Sequence, residues 1–367
     1  MSAELRGWRV DDPQAWNAFV ESVPYHAFPQ LWEWGQLRID HGWRPVRLAV
    51  GPSRDEPLAG AQLLLRRIPL VGWHLAYVPR GPVGHLDDPL VRDGLERALR
   101  ALGRAERIAT IRADPEATPQ TAYGTALLDE PWRAAPKVQP PITRIIDLTV
   151  GPDALRAAMR RKHRQYVNKA EREGLEVDRF EGSSFPPSAV ADALADFNRI
   201  YRQTAERAGF VARAPEYYER VWGAFAPGNH VRLSFAVRGG ERVAALFHFT
   251  CGDRVVESYG GMTDAGADLR ANYLLKWAAI RDFAREGFAI YDMWGLATGG
   301  IRQFKEGFGG TEIAYVGARD LPLRAPVDAA LRLALPAYGI LQRVRHRLLG
   351  GRGAAHAGDE TTGQPAA

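Results

Sequence analysis

The strongest constraint in this sequence is a pattern that occurs twice. Tyr77 to Asp114 reads as strand, Gly/Pro/Asp-rich turn, helix and strand ending in aspartate, and Tyr259 to Asp292 repeats that order over a similar length. A strand–helix–strand unit closes as a right-handed crossover between parallel strands, so two copies predict a duplicated α/β chain. At 367 residues the chain exceeds one ordinary core, and two domains are expected.

The remaining elements follow from periodicity. In the first half, Asp12 to Glu21 and Gln30 to His41 read as helices, the second with Trp34, Leu37 and His41 at helical spacing. Pro45 to Val50, Ala59 to Arg67, Leu75 to Val78 and Ile108 to Arg112 read as strands, and Pro89 to Leu102 as an amphipathic helix. A proline-rich stretch, Pro131 to Pro141, precedes ITRIIDLTV, which reads as a strand restarting the chain, and the boundary is placed near residue 150. Beyond it come a basic helix (Asp153 to Glu173) and helices from Ala189 to Ala208 and Pro215 to Ala224. Strands at Val231 to Val237, Arg242 to Cys251 and Arg254 to Tyr259, a helix from Leu269 to Glu286 and a strand from Ala289 to Trp294 complete the second half. The sequence thus divides into domains at 1–149 and 150–325, an amphipathic basic helix at 326–349, and a Gly/Ala-rich tail at 350–367 expected to be disordered.

Composition narrows the function classes. One cysteine, Cys251, excludes an internal disulfide framework and suits a reducing cytoplasm. The opening MSAELRGWRVDD lacks the charged-then-apolar order of a signal peptide. The longest apolar candidate, Ala329 to Leu341, is interrupted by Arg332 and Pro336, so no membrane span is expected. No P-loop, HExxH, CxxC or GxSxG motif occurs, and the histidines are scattered, so no metal and no cofactor is expected. The net charge of +5 is compatible with anionic partners.

Three segments carry candidate chemistry. In MRRKHRQYVNKAEREGLEV, Arg160, Arg161, Lys162, Arg164 and Lys169 crowd one helix, which makes it a candidate phosphate-tracking surface; a solvated face is the alternative. In YGGMTDAGADLRANYLLKWAAIRDFAREGFAIYDMWG, the aromatic positions read as core, and Asp292 closes a strand before a glycine, where it either serves a site or stabilises a turn. In GIRQFKEGFGGTEIAYVG, glycines allow close backbone approach around Phe304 and Lys305, and a lysine held by aromatic neighbours can stabilise an oxyanion. A surface lysine is the alternative there.

Taken together, these segments resemble the Fem (FemABX) family. The resemblance extends to Gln30-Leu31-Trp32-Glu33-Trp34, Gly42-Trp43, the PRGPV turn and AERAGFVARAPEYY, and covers most of residues 25–323 in the family's order; FKEGFGG with the preceding YDMWG is its most specific part. It implies two tandem acetyltransferase-like (GNAT-type) domains as a pseudo-repeat. It implies transfer of an amino acid from aminoacyl-tRNA to the stem peptide of a peptidoglycan precursor, either UDP-MurNAc-pentapeptide or lipid II. By motif position it implies that Arg38 and Arg213 contact precursor phosphate, that Tyr217, Tyr259 and Asp114 line the substrate cleft, and that Phe304 and Lys305 stand near the aminoacyl ester. An aminoacyl ester is already activated, which agrees with the lack of a nucleotide motif. Gly174 and the FEGSS turn follow the basic helix directly, so the chain is similar to compact members without a helical-hairpin arm.

Other readings remain open at this level: an acyl-CoA N-acetyltransferase, a binding-only Fem-like module, or the same chemistry on another acceptor. Against the first, Tyr273 stands where a pyrophosphate loop would have glycine. Arg343, Arg345 and Arg347 beside Ile340, Leu341, Val344 and Leu348 suggest either peripheral membrane contact or packing on the protein itself. A monomer is expected.

Overall fold

The computed structural model describes residues 5–69, 71–296, 299–330 and 332. Most of the expected C-terminal helix and all of the tail therefore lie outside the described residues. Among the described residues the chain forms two compact units, 5–141 with the residues from 315 onward, and 142–314.

The first stretch of the chain supplies β1 (Arg6–Arg9), β2 (Arg44–Gly51), β3 (Ala59–Arg67), β4 (His74–Pro79), β5 (Val83–Gly84), β6 (Ile108–Asp114) and β7 (Arg133–Ala134). The middle supplies β8 (Ile142–Asp147), β9 (Glu176–Glu181), β10 (Val231–Arg238), β11 (Glu241–Cys251), β12 (Arg254–Met262), β13 (Ile290–Asp292) and β14 (Thr311–Ala314), and β15 (Arg319–Pro322) follows. Among the described residues, the first sheet runs β1-β2-β3-β4-β6-β15-β7 with β5 on β3, and the second runs β9-β10-β11-β12-β13-β8-β14. The two orders correspond position by position, which is the duplication that the repeated pattern predicts.

Each crossover is parallel. β4 pairs with β6, placing Pro79 opposite Asp114, and β12 pairs with β13, placing Val256 opposite Asp292. The connecting helices are Pro89–Ala105 and Ala271–Arg285. The first is capped by Asp88, whose carboxylate accepts from Leu90 N at 2.8 Å, and it buries Val91, Leu95, Leu99 and Leu102 on one face. The second buries Leu274, Leu275, Trp277, Ile280 and Phe283 against its sheet, and with them Lys276.

Several boundaries differ from the sequence reading. The helix expected from Gln30 to His41 is three short pieces, Phe28–Gln30, Trp32–Gln36 and Ile39–His41. The Gln30 side chain is committed to Pro79 O at 2.6 Å and Gln62 N at 2.7 Å, which pins the backbone away from a continuous helix. The basic helix expected over 153–173 is two, Pro152–Ala158 and Arg161–Arg172, broken where Met159 is extended and buried. Arg164 caps the break by donating to Ala157 O at 3.0 Å and to Met159 O, while Arg160 N donates to Gly307 O at 2.9 Å. The helix expected from Leu269 starts at Ala271, after a separate turn of helix at Asp264–Asp268, and the strand expected over 289–294 is confined to Ile290–Asp292. After Arg172 the chain passes through Gly174, at a φ of 75°, straight into β9 with no inserted helical hairpin.

The division between units falls at 141/142 rather than near 150. β8 pairs with β13 and β14, so the strand that restarts the chain belongs wholly to the second sheet. Among the described residues the second unit ends at Ala314 rather than at 325, and β15 returns to the first sheet between β6 and β7. Arg112 holds it there through a bidentate pair with Asp320 at 2.8 and 2.9 Å.

Candidate functional site

A cavity of about 370 Å³ opens in the second unit, lined by β11 and β12, the helix Pro187–Ala208, the start of Ala271–Arg285 and the helix Gly300–Glu306. Its wall gathers Tyr259, Phe304 and Lys305, three of the residues singled out in the sequence, from segments far apart in the chain.

Asp292 organises one side. Its carboxylate accepts from Thr143 Oγ1 at 2.5 Å, from Trp294 N at 2.7 Å and from the Arg254 guanidinium, and it is buried. The backbone beyond it turns sharply: Trp294 has a φ of 46°, in the left-handed region that costs a tryptophan conformational energy. This turn aims three carbonyls at one point. Lys305 Nζ fills it, donating to Met293 O, Trp294 O and Gly295 O, each at 2.8 Å. An ammonium has three N–H groups, so Lys305 is fully engaged. Burial, reinforced by the nearby Lys276 charge, pulls its pKa down from 10.5 to about 8.

Phe304 packs edge-on against Tyr273 with centroids 4.9 Å apart, and its carbonyl meets His163 Nε2 at 3.0 Å. Tyr273 in turn meets Tyr166 at 4.8 Å, so the basic helix Arg161–Arg172 buttresses the cavity wall. On that helix Arg161, Lys162 and Lys169 are exposed; Arg160, just before it, is exposed and paired with Glu306 at 3.1 Å, and Arg164 is spent on the helix break. Gly307 is required here, because a Cβ would stand 1.9 Å from the His163 ring.

The other substrate-binding candidates fall in two places. Tyr217 and Tyr259 hydroxyls are 3.3 Å apart, and the Arg213 guanidinium lies 4.8 Å from the centre of the Tyr217 ring, so these belong together in the second unit. Burial pushes the Tyr259 hydroxyl well above its ordinary pKa, and the neighbouring Tyr217 and Tyr218 add to this. Arg38 and Asp114 belong to the first unit. Arg38 is buried with its guanidinium 4.2 Å from the Trp34 ring centre. Asp114 accepts from Gln139 N at 3.0 Å and lies 3.8 Å from Arg80, and burial raises its carboxyl despite that arginine.

Sequence reasoning missed a buried polar chain on the cavity floor. Lys276 Nζ donates to Glu257 Oε1 at 2.6 Å, the Tyr291 hydroxyl donates to Glu257 Oε2 at 2.5 Å, and His248 Nε2 meets that hydroxyl at 2.9 Å. Although burial works against the Glu257 carboxylate, Lys276 and its other neighbours hold its pKa below the ordinary value. Burial drives His248 down to about 3, so it is neutral. The available signals were a lone lysine inside LLKWAAI and a lone glutamate inside RVVESY, each out of place in an apolar run.

Residues 12–126 match the model of the FemAB family, and residues 157–306 that of an acetyltransferase (GNAT) domain. The chain is 27% identical over 232 residues to the lipid II:glycine glycyltransferase of Staphylococcus saprophyticus, covering 60% of this chain and 53% of that protein. It is 27% identical over 304 residues to the UDP-N-acetylmuramoylpentapeptide-lysine N(6)-alanyltransferase of Weissella viridescens, covering 78% and 86%. The chain thus spans about half the length of the glycyltransferase and most of the alanyltransferase. The crystal structure of FemX superposes with a TM-score of 0.79 at 19% identity, over 89% of this chain and 99% of that one. L-PGS from Bacillus licheniformis superposes at 0.52 with 15% identity, over 88% and 96%. Two sheets of matching order, each built around a parallel crossover, a cavity wall carrying the FKEGFGG segment, and these likenesses agree: the fold is built of GNAT-type domains, and the chain is similar to the Fem family.

Proposed function

We propose that this chain is an aminoacyltransferase that forms a peptide bond between an amino acid carried by tRNA and the stem peptide of a peptidoglycan precursor, as in interpeptide bridge formation. The observation that carries this reading is the convergence of Tyr259, Phe304 and Lys305 on one cavity wall, backed by the basic helix Arg161–Arg172. The names of the relatives, which specify lipid II or UDP-N-acetylmuramoylpentapeptide as acceptor, support the same acceptor class.

In this reading the donor ester enters the cavity, and the exposed Arg161, Lys162 and Lys169 track the phosphates of the tRNA. Arg38 and Arg213 take precursor phosphate, a fork-shaped donor suiting a planar or tetrahedral anion better than an ammonium does. Tyr217, Tyr259 and Asp114 contact the precursor. Lys305 acts by its charge and by fixing the turn at residues 293–295, so that the cavity wall is in place before substrate arrives. The enzyme's contribution is positioning and electrostatics, since the ester is already activated. A monomer working at the inner face of the membrane, where lipid II presents its stem peptide, fits this reading. Among the described residues no helix is long and apolar enough to cross a membrane.

The test is a transfer assay with total charged tRNA and labelled amino acids, offering UDP-MurNAc-pentapeptide and lipid II separately. Label appearing on one precursor and abolished by RNase names donor and acceptor together. No transfer to either, with folded protein and intact tRNA, rejects the reading.

A further inference from the structure

We propose that Lys276, rather than Lys305, gives the hydrogen bond to the oxygen that becomes negative during transfer, with Glu257 as its positioning residue. This assignment rests on the aminoacyl-transfer reading above. Lys276 is 2% exposed, yet it borders the cavity. Its ammonium has three N–H groups, and Glu257 Oε1 takes one at 2.6 Å. The Phe304 ring, centred 5.0 Å from Nζ, is a weak acceptor that steers the charge without consuming a donor. Lys305 differs in kind, because its donors are all held by the carbonyls of Met293, Trp294 and Gly295. Freeing one would break the turn that shapes the wall.

Glu257 is itself fixed. Tyr291 donates to its second oxygen at 2.5 Å, and His248 meets that hydroxyl at 2.9 Å. A buried lysine held from behind by a buried, anchored carboxylate points one way, which is what a preorganised electrostatic group requires. In the reaction the acceptor amine attacks the ester carbonyl carbon. A C–N bond forms, and the carbonyl π pair moves to the oxygen, where Lys276 donates. Return of that pair breaks the C–O bond to the ribose, and the proton lost by the amine ends on the ribose oxygen. Lys276 gives a hydrogen bond and transfers no proton.

The experiment measures kcat and KM for transfer from charged tRNA in wild type, Lys276→Met, Glu257→Gln and the double variant, with thermal melting of each. Lys276→Met is expected to lower kcat about 100- to 1,000-fold, with KM for both substrates within about threefold of wild type. Glu257→Gln, which removes the carboxylate's charge behind the lysine but keeps its shape, is expected to lower kcat about tenfold without raising KM. Should the single lysine variant fail to fold around an unpaired Glu257, the double variant decides, because it leaves no lone buried charge in the pair. A folded Lys276 variant with wild-type kcat, or with a loss confined to KM, overturns the assignment alone. An inactive wild type, supplied with charged tRNA and both precursors, overturns the aminoacyl-transfer reading and this assignment with it.

Discussion

Lys305 holds three carbonyls at 2.8 Å with an ammonium that burial has brought down to about 8. Its folded pKa lies below the ordinary 10.5, so between those two values the unfolded chain binds the proton and the folded chain does not. Stability then rises with pH across that window. Melting curves of wild type and Lys305→Met from pH 7 to 10.5 check this: the difference is expected to move in favour of wild type above pH 8, by on the order of 2 kcal/mol. A constant difference across the range would contradict it. Lys305 was legible in the sequence because FKEGFGG is a contiguous signature. Lys276 and Glu257 were not, because each is explained only by the other, from 19 positions away in the chain. His163 was equally hidden among scattered histidines, although it fixes Phe304 through the backbone.

At the level of elements, the basic helix joins two jobs on two faces. His163, Val167 and Ala170 are buried, while Arg161, Lys162 and Lys169 face solvent. Replacing those three by alanine is expected to weaken binding of tRNA while leaving the melting temperature within a few degrees. Each lost phosphate contact should reduce the slope of log K against log salt by about 0.7–0.9, which filter binding across a salt series measures. An unchanged slope would return the helix to a merely solvated face. The strands β10 to β12 were readable because apolar runs and Gly-containing turns mark them directly. The break at Met159–Arg160 was not, since nothing local interrupts the helical pattern; it is imposed by Gly307, whose carbonyl takes Arg160 N at 2.9 Å. Pinning of Gln30 by Pro79 and Gln62 likewise comes from residues distant in sequence.

For the whole molecule, the duplicated order conceals an asymmetry. The strand next to the second crossover strand is β15 in the first sheet and β8 in the second. β15 is supplied from beyond the second unit in the chain, whereas β8 opens the second unit itself, and the sequence pattern, which marks only the crossovers, does not disclose this. A fragment of residues 1–141 therefore lacks β15, leaving the edge of β6 open beside Ile111 and the place of buried Leu321 unfilled. Such a fragment is expected to aggregate or to melt at least 10 °C lower than it does with a peptide of residues 315–330 added in trans, which calorimetry can check. Equal stability with and without the peptide would show that the strand is dispensable.

The same arrangement sets an order of events during synthesis. A ribosome releases residues 1–141 long before 319–322 exist, so the first sheet waits, with its edge uncovered, while the second unit is translated. The second unit has no such wait, because β8 leaves the ribosome ahead of the strands it pairs with. The half that is made first is thus the half that is finished last.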